Sequence, residues 1–392
     1  MKILFVNAIR NKFVQKSYYP LGFGYLVSYA EKHGVVFDSL YSEYVSPKLL
    51  KSFKPDVLAL SCSTENFSVA VHHAHITKKC DPHIKVVIGG VHVSAMPNSL
   101  TSDFDIGVIG EGEQTFLELL KNDFDPSINI RGIIFNKIQT ENRHHIEPLD
   151  SIPHPDRSIF GDVKRTPYIF TSRGCTNRCV FCYSSHFWGK FRLHSPMYVA
   201  EEIKFLAESG VKHIQIFDDT FLIDINRVKE INKLVSGFDV TYGCSARANQ
   251  ITDESISILK DMNVINMGMG IESNSARVLK WMNKGNTPEI NQNAVDILHK
   301  YNMPFSASFI VDTPIETKED VAATKSFIKK NKISYCMNGL MGFPGTPIYD
   351  GSTDWDSMKC RDYLPVHMRW KRRLSQIKPV RNTYKRIQKW VT

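Results

Sequence analysis

The sequence lacks any apolar run of about 18 residues, which is the length that a membrane-spanning helix needs. Its first residues, MKILFVNAIRNKF, also lack a long apolar stretch and a small-residue cleavage site. They predict a first β-strand rather than a signal peptide, so we expect a cytoplasmic protein. The chain has 392 residues, enough for two domains, and its 42% hydrophobic and 23% charged residues are ordinary for a globular protein.

Cysteine is sparse except in one short segment. Three of the eight cysteines, Cys175, Cys179 and Cys182, form the pattern C-x3-C-x2-C. Clustered cysteines favour a metal site, whereas scattered ones favour burial as small apolar side chains rather than disulfides. The scattered cysteines are Cys62, Cys80, Cys244, Cys336 and Cys360.

The spacing of the three clustered cysteines suits an iron–sulfur cluster. Three thiolates on one loop can hold three irons of a [4Fe–4S] cluster, whereas full ligation takes four cysteines. The fourth iron then stays open for a further ligand, as in catalytic metal sites. Cys175, Cys179 and Cys182 are therefore predicted to be the metal ligands and the centre of catalysis.

Residues 1–140 alternate short apolar runs with helical stretches. The runs ILFVN, VLALS, VVIGG and IGVIG predict buried parallel strands, and the alternation predicts a doubly wound, Rossmann-like α/β domain. In such folds ligands bind beyond the carboxyl ends of the strands, where small residues let a large ligand approach the backbone. The candidate binding residues at these ends are Ser61, Ser63, Gly89, Gly90, Gly110, Glu111 and Gly112.

The rest of the chain divides into three predicted parts. Residues 141–166 are rich in histidine, proline and charge and predict a linker. In 167–350 a strand-then-helix pattern repeats about six times, too few for a closed TIM barrel, with catalytic groups expected at the carboxyl ends of the strands. Residues 351–392 form a basic tail that accounts for much of the formal net charge of +9. Such a tail fits an anionic partner, although a tail docked on the body is the simpler interpretation.

Two adjacent carboxylates follow the second strand of the predicted barrel. In the turn FDDTF, Asp218 and Asp219 would accept hydrogen bonds from an ammonium group. The alternative is that they cap the N-terminus of the next helix, where acidic side chains are favourable in any case.

Several motifs together resemble the cobalamin-dependent radical S-adenosylmethionine (SAM) enzymes, the subfamily of class B methyltransferases and BchE-like enzymes. They are RGCTNRCVFCYSSHFWG, FDDTF and GMGIESNSARVLKWMNKG in the second half, and PLGFGYLVSYAEKHG, KPDVLALSCST, VVIGGVHVSAMP and VIGEGE in the first. The resemblance implies an N-terminal cobalamin-binding domain followed by a partial (β/α)6 TIM barrel. It covers most of residues 1–350.

The resemblance also implies roles for individual residues. SAM would bind the open iron through its amino and carboxylate groups, and Phe181 would pack near the cluster and the SAM adenine. Asp218 and Asp219 would contact the SAM amino group, and Arg247 would pair with its carboxylate. Glu272 and Ser273 would face the ribose or the amino group.

Two departures from the family pattern qualify the resemblance. The D-x-H-x-x-G motif, which supplies a lower axial histidine to cobalt in classical cobalamin proteins, is absent, so the cobalt ligation stays open. At the fifth strand, VDTPIETKED keeps Pro314, Glu316 and Thr317 but lacks both glycines of the family's G-L-P-G-E-T, which makes adenine contact there less secure.

The implied function is reductive cleavage of SAM to a 5′-deoxyadenosyl radical that takes hydrogen from an unknown substrate, followed by methyl transfer from methylcobalamin. A one-electron donor such as flavodoxin or ferredoxin would supply the electron. Cyclisation, rearrangement or oxidation without methyl transfer is an alternative. A methylthiotransferase would need three further cysteines in the first half, which has Cys62 and Cys80. A non-enzymatic cobalamin- or redox-responsive binding protein would leave the cluster motif without a use.

Overall fold

The computed structural model describes residues 1–10, 19–127 and 129–352. The basic tail and Cys360 lie outside the described residues, so the predictions made for them stay predictions. Within the described part, no helix has the length and apolar character that crossing a membrane requires.

The first half of the chain forms a seven-stranded sheet in the order β2-β1-β3-β4-β5-β6-β7. Strands β1 to β5 are parallel, while β6 and β7 add an antiparallel hairpin at one edge. The strands are Lys2–Ala8, Asp38–Ser42, Val57–Cys62, Lys85–Gly89, Ile106–Val108, Ile133–Phe135 and Ile138–Gln139. The helices α1 to α5 are Leu21–Lys32, Pro47–Phe53, Phe67–Cys80, Val91–Ala95 and Glu113–Lys121.

This first sheet is covered on both faces, as the predicted doubly wound fold requires. Along β1, Ile3 and Phe5 pack into the core on the side of α1 and α5, while Leu4 and Val6 pack into the core on the side of α2 and α3. All four side chains are fully buried, which is why β1 is an uninterrupted apolar run. The α/β prediction is confirmed, but β2 and the hairpin were not predicted because their strands are short and partly exposed.

The segment between the two sheets is more firmly attached than the predicted linker. It contains three short 3₁₀ turns, and the Arg157 side chain is buried beneath it. Arg157 Nη2 donates to Glu202 Oε1 at 2.5 Å and to the Tyr168 carbonyl oxygen at 2.9 Å. The segment therefore packs on the second half of the chain.

The second half forms a six-stranded parallel sheet in the order β15-β14-β13-β12-β11-β8. The strands follow one another in sequence across the sheet, which forms the predicted partial barrel with β8 and β15 as its two edges. The strands are Tyr168–Ile169, His213–Ile216, Thr241–Ala246, Val264–Glu272, Phe305–Val311 and Ser334–Gly339. The helices α6 to α12 are Ser184–Phe187, Pro196–Glu208, Ile225–Val235, Asp253–Asp261, Ala276–Trp281, Pro288–Lys300 and Lys318–Lys330.

A small antiparallel ladder brackets the cysteine motif. It pairs β9 (Ser172–Arg173) with β10 (Arg192–Leu193). The segment between them, which contains the three cysteines, therefore begins and ends at neighbouring positions. This ladder was not predicted from the sequence. It places the cysteine loop beyond the end of β8, at the mouth of the barrel.

We expect Gly90→Ala to destabilise the protein without any cofactor present. Gly90 has φ +102°, and an added Cβ would lie 2.8 Å from the Cys62 carbonyl oxygen. We therefore expect a free energy of unfolding lower by about 1–3 kcal/mol, measured by denaturant unfolding of the apoprotein. The control is Gly237→Ala, where no atom lies within 4 Å of the added Cβ. Equal stability of the two variants would contradict the strain that we assign to Gly90.

Candidate active site

The three cysteines lie in one loop between β9 and α6. Cys179 is buried and the other two are partly exposed, and the Cys182 amide donates to the Cys179 carbonyl oxygen at 3.1 Å. Burial raises the pKa of Cys182, and the neighbouring Asp219, Cys179 and Cys175 raise it further because like charges disfavour the thiolate. The three thiols therefore share one electrostatic environment.

The thiols are not arranged around a single ion. Among the described residues, no three histidine, cysteine or acidic side chains are close enough to hold one metal ion. A [4Fe–4S] cluster differs because each thiolate binds a different iron, which separates the sulfurs. The three cysteines of the loop fit a cluster of this kind, with one iron for each thiolate.

Asp218 and Asp219 have different environments although they are adjacent. Asp218 is buried and accepts hydrogen bonds from the Thr171 amide at 2.6 Å, the Thr171 hydroxyl at 2.5 Å and the Ser172 amide at 3.2 Å. Asp219 accepts from the Ser184 hydroxyl. Neither residue caps the following helix, because Asp224 accepts the capping bond from the Arg227 amide.

Through these hydrogen bonds, the Asp218 carboxylate anchors the chain that leads into the cysteine loop. Arg227 reinforces the same strand by donating to the Thr171 carbonyl oxygen at 2.8 Å. The expected contact between Asp218 and an ammonium group therefore has little support in the geometry. Asp219, which lines the large cavity described below, remains the candidate.

Arg247 lies against the cysteine loop, immediately after β12. Its Nη1 is 3.6 Å from Cys179 Sγ, and its Nη2 donates to the Lys284 carbonyl oxygen. The Nε atom is buried and has no hydrogen-bond partner. The Arg247 guanidinium thus lies beside the buried Cys179, and its Nε–H is available to donate a hydrogen bond.

Glu272 and Ser273 separate in the structure. Glu272 is buried at the end of β13, and its Oε1 accepts from Lys284 Nζ at 2.9 Å. Ser273 is fully buried, and its hydroxyl contacts the Thr324 hydroxyl at 3.3 Å and the Ser275 amide at 3.2 Å. The Ser273 hydroxyl contacts α12 and the turn after β13, and a contact of Ser273 with the ribose or the amino group stays a prediction.

Lys284 is a residue that the sequence analysis missed. It lies in the quoted run MNKG, but a lysine in a polar stretch gives no indication of burial. Only the fold brings it to Glu272, which supplies the opposite charge that a buried ammonium group needs.

Unpartnered polar atoms collect at the carboxyl ends of β12 to β14. Buried polar atoms in proteins are nearly always hydrogen-bonded, so an unpaired set at one edge of a sheet indicates a polar ligand. Burial also raises the pKa of Glu316. Within the described part of the chain, the unpaired buried atoms at this edge are Arg247 Nε, Asn286 Oδ1, Thr313 Oγ1 and Glu316 Oε1.

A second binding region is a cavity of about 320 Å³ between the two sheets. The ends of β3, β4 and β5 form one wall, and the β8–β9 connection with Phe187 and Trp188 forms the other. Beside Gly22 and Gly110 an added Cβ would meet no atom within 4 Å, so both backbones face open space. The hydroxyl groups of Tyr25 and Ser172 are buried in its walls without partners. The cavity therefore suits a broad ligand with polar groups at its rim.

Most of the residues predicted to bind a ligand in the first half line this cavity, and two need correction. The lining residues are Ser61, Gly89, Gly90, Gly110, Glu111 and Gly112. Ser63 does not line the cavity. Its hydroxyl accepts a hydrogen bond from Asn66 Nδ2 at 2.9 Å. Glu111 lines the cavity, but Arg173 and Arg192 occupy its carboxylate, so it is not available as a free ligand group.

No histidine is among the described residues that line the cavity. His92 is fully buried elsewhere, with its ring nitrogens 3.2 Å from the Thr64 hydroxyl and 3.0 Å from the Ser99 hydroxyl. His73 is also buried, on α3. Both histidines are therefore buried inside the first domain, and neither lines the cavity.

Comparison with known proteins assigns the family. Residues 169–328 match the radical SAM superfamily, and residues 12–120 match the B12 binding domain. The chain belongs to the cobalamin-dependent radical SAM enzymes. Its cofactors are a [4Fe–4S] cluster, SAM and cobalamin, and the residues around the cysteine loop and the cavity fit all three.

Three relatives define the range of the family. An uncharacterized methyltransferase of Pyrococcus horikoshii is 33% identical over 386 residues, covering 92% of this chain and 82% of the relative. Cytidylyl-2-hydroxyethylphosphonate methyltransferase of Streptomyces wedmorensis is 25% identical, covering 71% and 66%. Anaerobic magnesium-protoporphyrin IX monomethyl ester cyclase of Cereibacter sphaeroides is 26% identical, covering 79% and 56%.

Two solved structures share the fold. The radical enzyme OxsB with aqua-cobalamin bound has a TM-score of 0.74 at 18% identity, covering 89% of this chain and 55% of OxsB. The methyltransferase TsrM from Kitasatospora setae has a TM-score of 0.73 at 18% identity, covering 89% and 74%. At these identities the likeness concerns the fold.

We expect His92 to make the protein less stable in acid. Burial lowers the pKa of His92 from 6.5 to about 4, so the unfolded chain binds a proton there before the folded protein does. The stabilisation is complete above pH 6.5 and is lost as the pH falls towards 4, by about 3 kcal/mol at most. Denaturant unfolding at several pH values should show a shallower loss for His92→Gln, which keeps hydrogen-bonding capacity but does not titrate. An equal slope for both proteins would be evidence against this role.

Proposed function

We propose that the protein is a cobalamin-dependent radical SAM methyltransferase that acts on a carbon or phosphorus atom of an unidentified substrate. The observation that carries the proposal is the shared wall between the cysteine loop and the cavity. Ser172, Arg173 and Gly174 line the cavity and run directly into Cys175. Two cofactors held in these places would face one compartment.

When bound, the cluster and SAM supply a 5′-deoxyadenosyl radical, and cobalamin supplies the methyl group. The chain holds the parts in place. Asp218 and Arg227 both bind Thr171, so the segment that enters the cysteine loop is anchored. Arg247 and the unpaired atoms of Thr313 and Glu316 present donors and acceptors to SAM at the neighbouring strand ends.

The mouth of the barrel is closed beside the cysteines by the segment after β15. Gly345 has φ +81°, and an added Cβ would lie 2.2 Å from the Tyr183 ring, so the turn at Gly345 packs flat on that ring. Tyr183 directly follows Cys182. This contact supports the exclusion of water, which would otherwise consume reactive intermediates.

The cyclase relative makes a radical reaction without methyl transfer the second candidate. A methylthiotransferase is less well supported, although a putative one of Methanocaldococcus jannaschii is 31% identical over 263 residues. Cys62 is buried at the end of β3, where burial raises its pKa, and Cys80 is exposed at the end of α3. These two cysteines are poor candidates for ligands of a second cluster.

The electron would come from a one-electron donor such as flavodoxin or ferredoxin. We place the reaction in the cytoplasm, because a reducing compartment keeps the three thiols free to bind iron. A contact between the basic tail and an anionic partner remains a prediction.

The proposal is tested with anaerobically reconstituted protein, cobalamin, a reductant and methyl-labelled SAM. We expect label on the bound cobalamin without any substrate, because that transfer needs only the two cofactors, and release of 5′-deoxyadenosine as a separate product. The control replaces Cys175, Cys179 and Cys182 together by alanine and should release no 5′-deoxyadenosine. Release of 5′-deoxyadenosine while the cobalamin stays unlabelled would favour the cyclase-like alternative.

We expect Arg247→Lys to weaken SAM binding by about 10- to 100-fold, because a lysine cannot keep both the Lys284 carbonyl contact and a donor for the ligand. The measurement is equilibrium dialysis of SAM against protein of matched iron content. The control is Arg178→Lys, an exposed residue of the same loop. The assignment fails if both variants bind SAM as the unchanged protein does.

A further inference from the structure

Two buried arginines face each other across the ladder that brackets the cysteine loop. Arg173 of β9 is paired directly with Arg192 of β10, and the two side chains are 7% and 6% exposed. Like charges opposite each other in an antiparallel pair are unfavourable, and burial makes the repulsion stronger. The ladder is stable only if negative charge reaches it from elsewhere.

That charge comes from the first sheet. Glu111 Oε1 accepts from Arg173 Nη1 and from Arg192 Nη2, both at 2.7 Å, and its Oε2 accepts from Arg192 Nη1 at 3.0 Å. Glu113, at the start of α5, accepts from Arg173 Nη2 at 2.6 Å. We call Glu111, Glu113, Arg173 and Arg192 the Glu–Arg cluster.

The Glu–Arg cluster contacts both cofactor regions. Glu111, Glu113 and Arg173 line the cavity, whereas Arg192 does not. Arg173 also lies over the rings of Tyr25 and Trp188, 5.3 and 5.2 Å from their centres, and both rings line the cavity as well. Cys175, the first cysteine of the loop, follows Arg173 by two residues.

Stability alone does not explain this arrangement. A buried ion pair contributes little net stability compared with apolar residues of similar size, because removing the charges from water is costly. Such a cluster does fix geometry, since each charge must keep its partner. A change on the cavity side would therefore reach Arg173, and from Arg173 the loop whose first cysteine, Cys175, follows two residues later.

We propose that the Glu–Arg cluster couples cobalamin binding to retention of the iron–sulfur cluster. A corrin that fills the cavity immobilises Arg173 and its acidic partners, and this holds the cysteine loop in its ligating form. By thermodynamic reciprocity, an intact iron–sulfur cluster raises the affinity for cobalamin by the same factor. Arg192 acts through Glu111 and is a positioning residue. The proposal rests on the cofactors of the family and does not require methyl transfer.

The test measures iron loss rather than turnover. Reconstituted protein is mixed with an iron chelator under anaerobic conditions, with and without saturating hydroxocobalamin, and the rate of iron release is followed by absorbance. We expect cobalamin to slow iron release at least about five-fold in the unchanged protein, the lower end of typical coupling between sites. A ratio of one in that protein overturns the proposal without recourse to any variant.

The diagnostic variant is Arg192→Lys, which keeps the charge but cannot make both bonds to Glu111. We expect its cobalamin effect on iron release to fall to near one, with weaker cobalamin binding by equilibrium dialysis. The matched control is Arg157→Lys. Arg157 and Glu202 form another buried arginine–glutamate pair, and neither residue lines the cavity. Arg157→Lys should keep the five-fold effect even if it unfolds at lower denaturant. Full coupling in Arg192→Lys would show that the Glu–Arg cluster does not carry it.

Discussion

The contact of two glutamates with two arginines holds the two halves of the active site in one geometry. The glutamates follow a strand of the first sheet, and the arginines flank the cysteine loop of the second. Burial pushes the pKa of Glu111 upward, but the hydrogen bonds and charges of Arg192 and Arg173 outweigh it and hold the pKa at about 2. The carboxylate is therefore ionised at neutral pH, and the contact between the sheets keeps its charge.

Both sheets present the carboxyl ends of their parallel strands to this contact. In the first sheet, the ends of β3, β4 and β5 carry glycines and small polar residues that line the cavity. In the second, the strand ends carry the cysteine loop, Arg247 and Glu272. Two folds that bind ligands at their strand ends thus meet at one cavity.

The sequence analysis predicted what depends on local pattern. Apolar runs located the central strands, and the cysteine spacing indicated the cluster. It could not predict what depends on distant partners. Glu111 and Asp218 looked like ligand residues, because their partners in β9 and β10 are about 40 to 80 positions away in the chain. Lys284 and the contact of the Ser273 hydroxyl with α12 were missed for the same reason.

The unclosed sheet of the second half has a consequence for how a substrate arrives. The first half forms one wall of the cavity at the end of the barrel where the cysteine loop lies. The edges β8 and β15 are not joined to each other, and every described side chain of β15 after its first residue is only partly buried. A substrate would reach the strand ends past these unjoined edges, which a closed eight-stranded barrel does not offer.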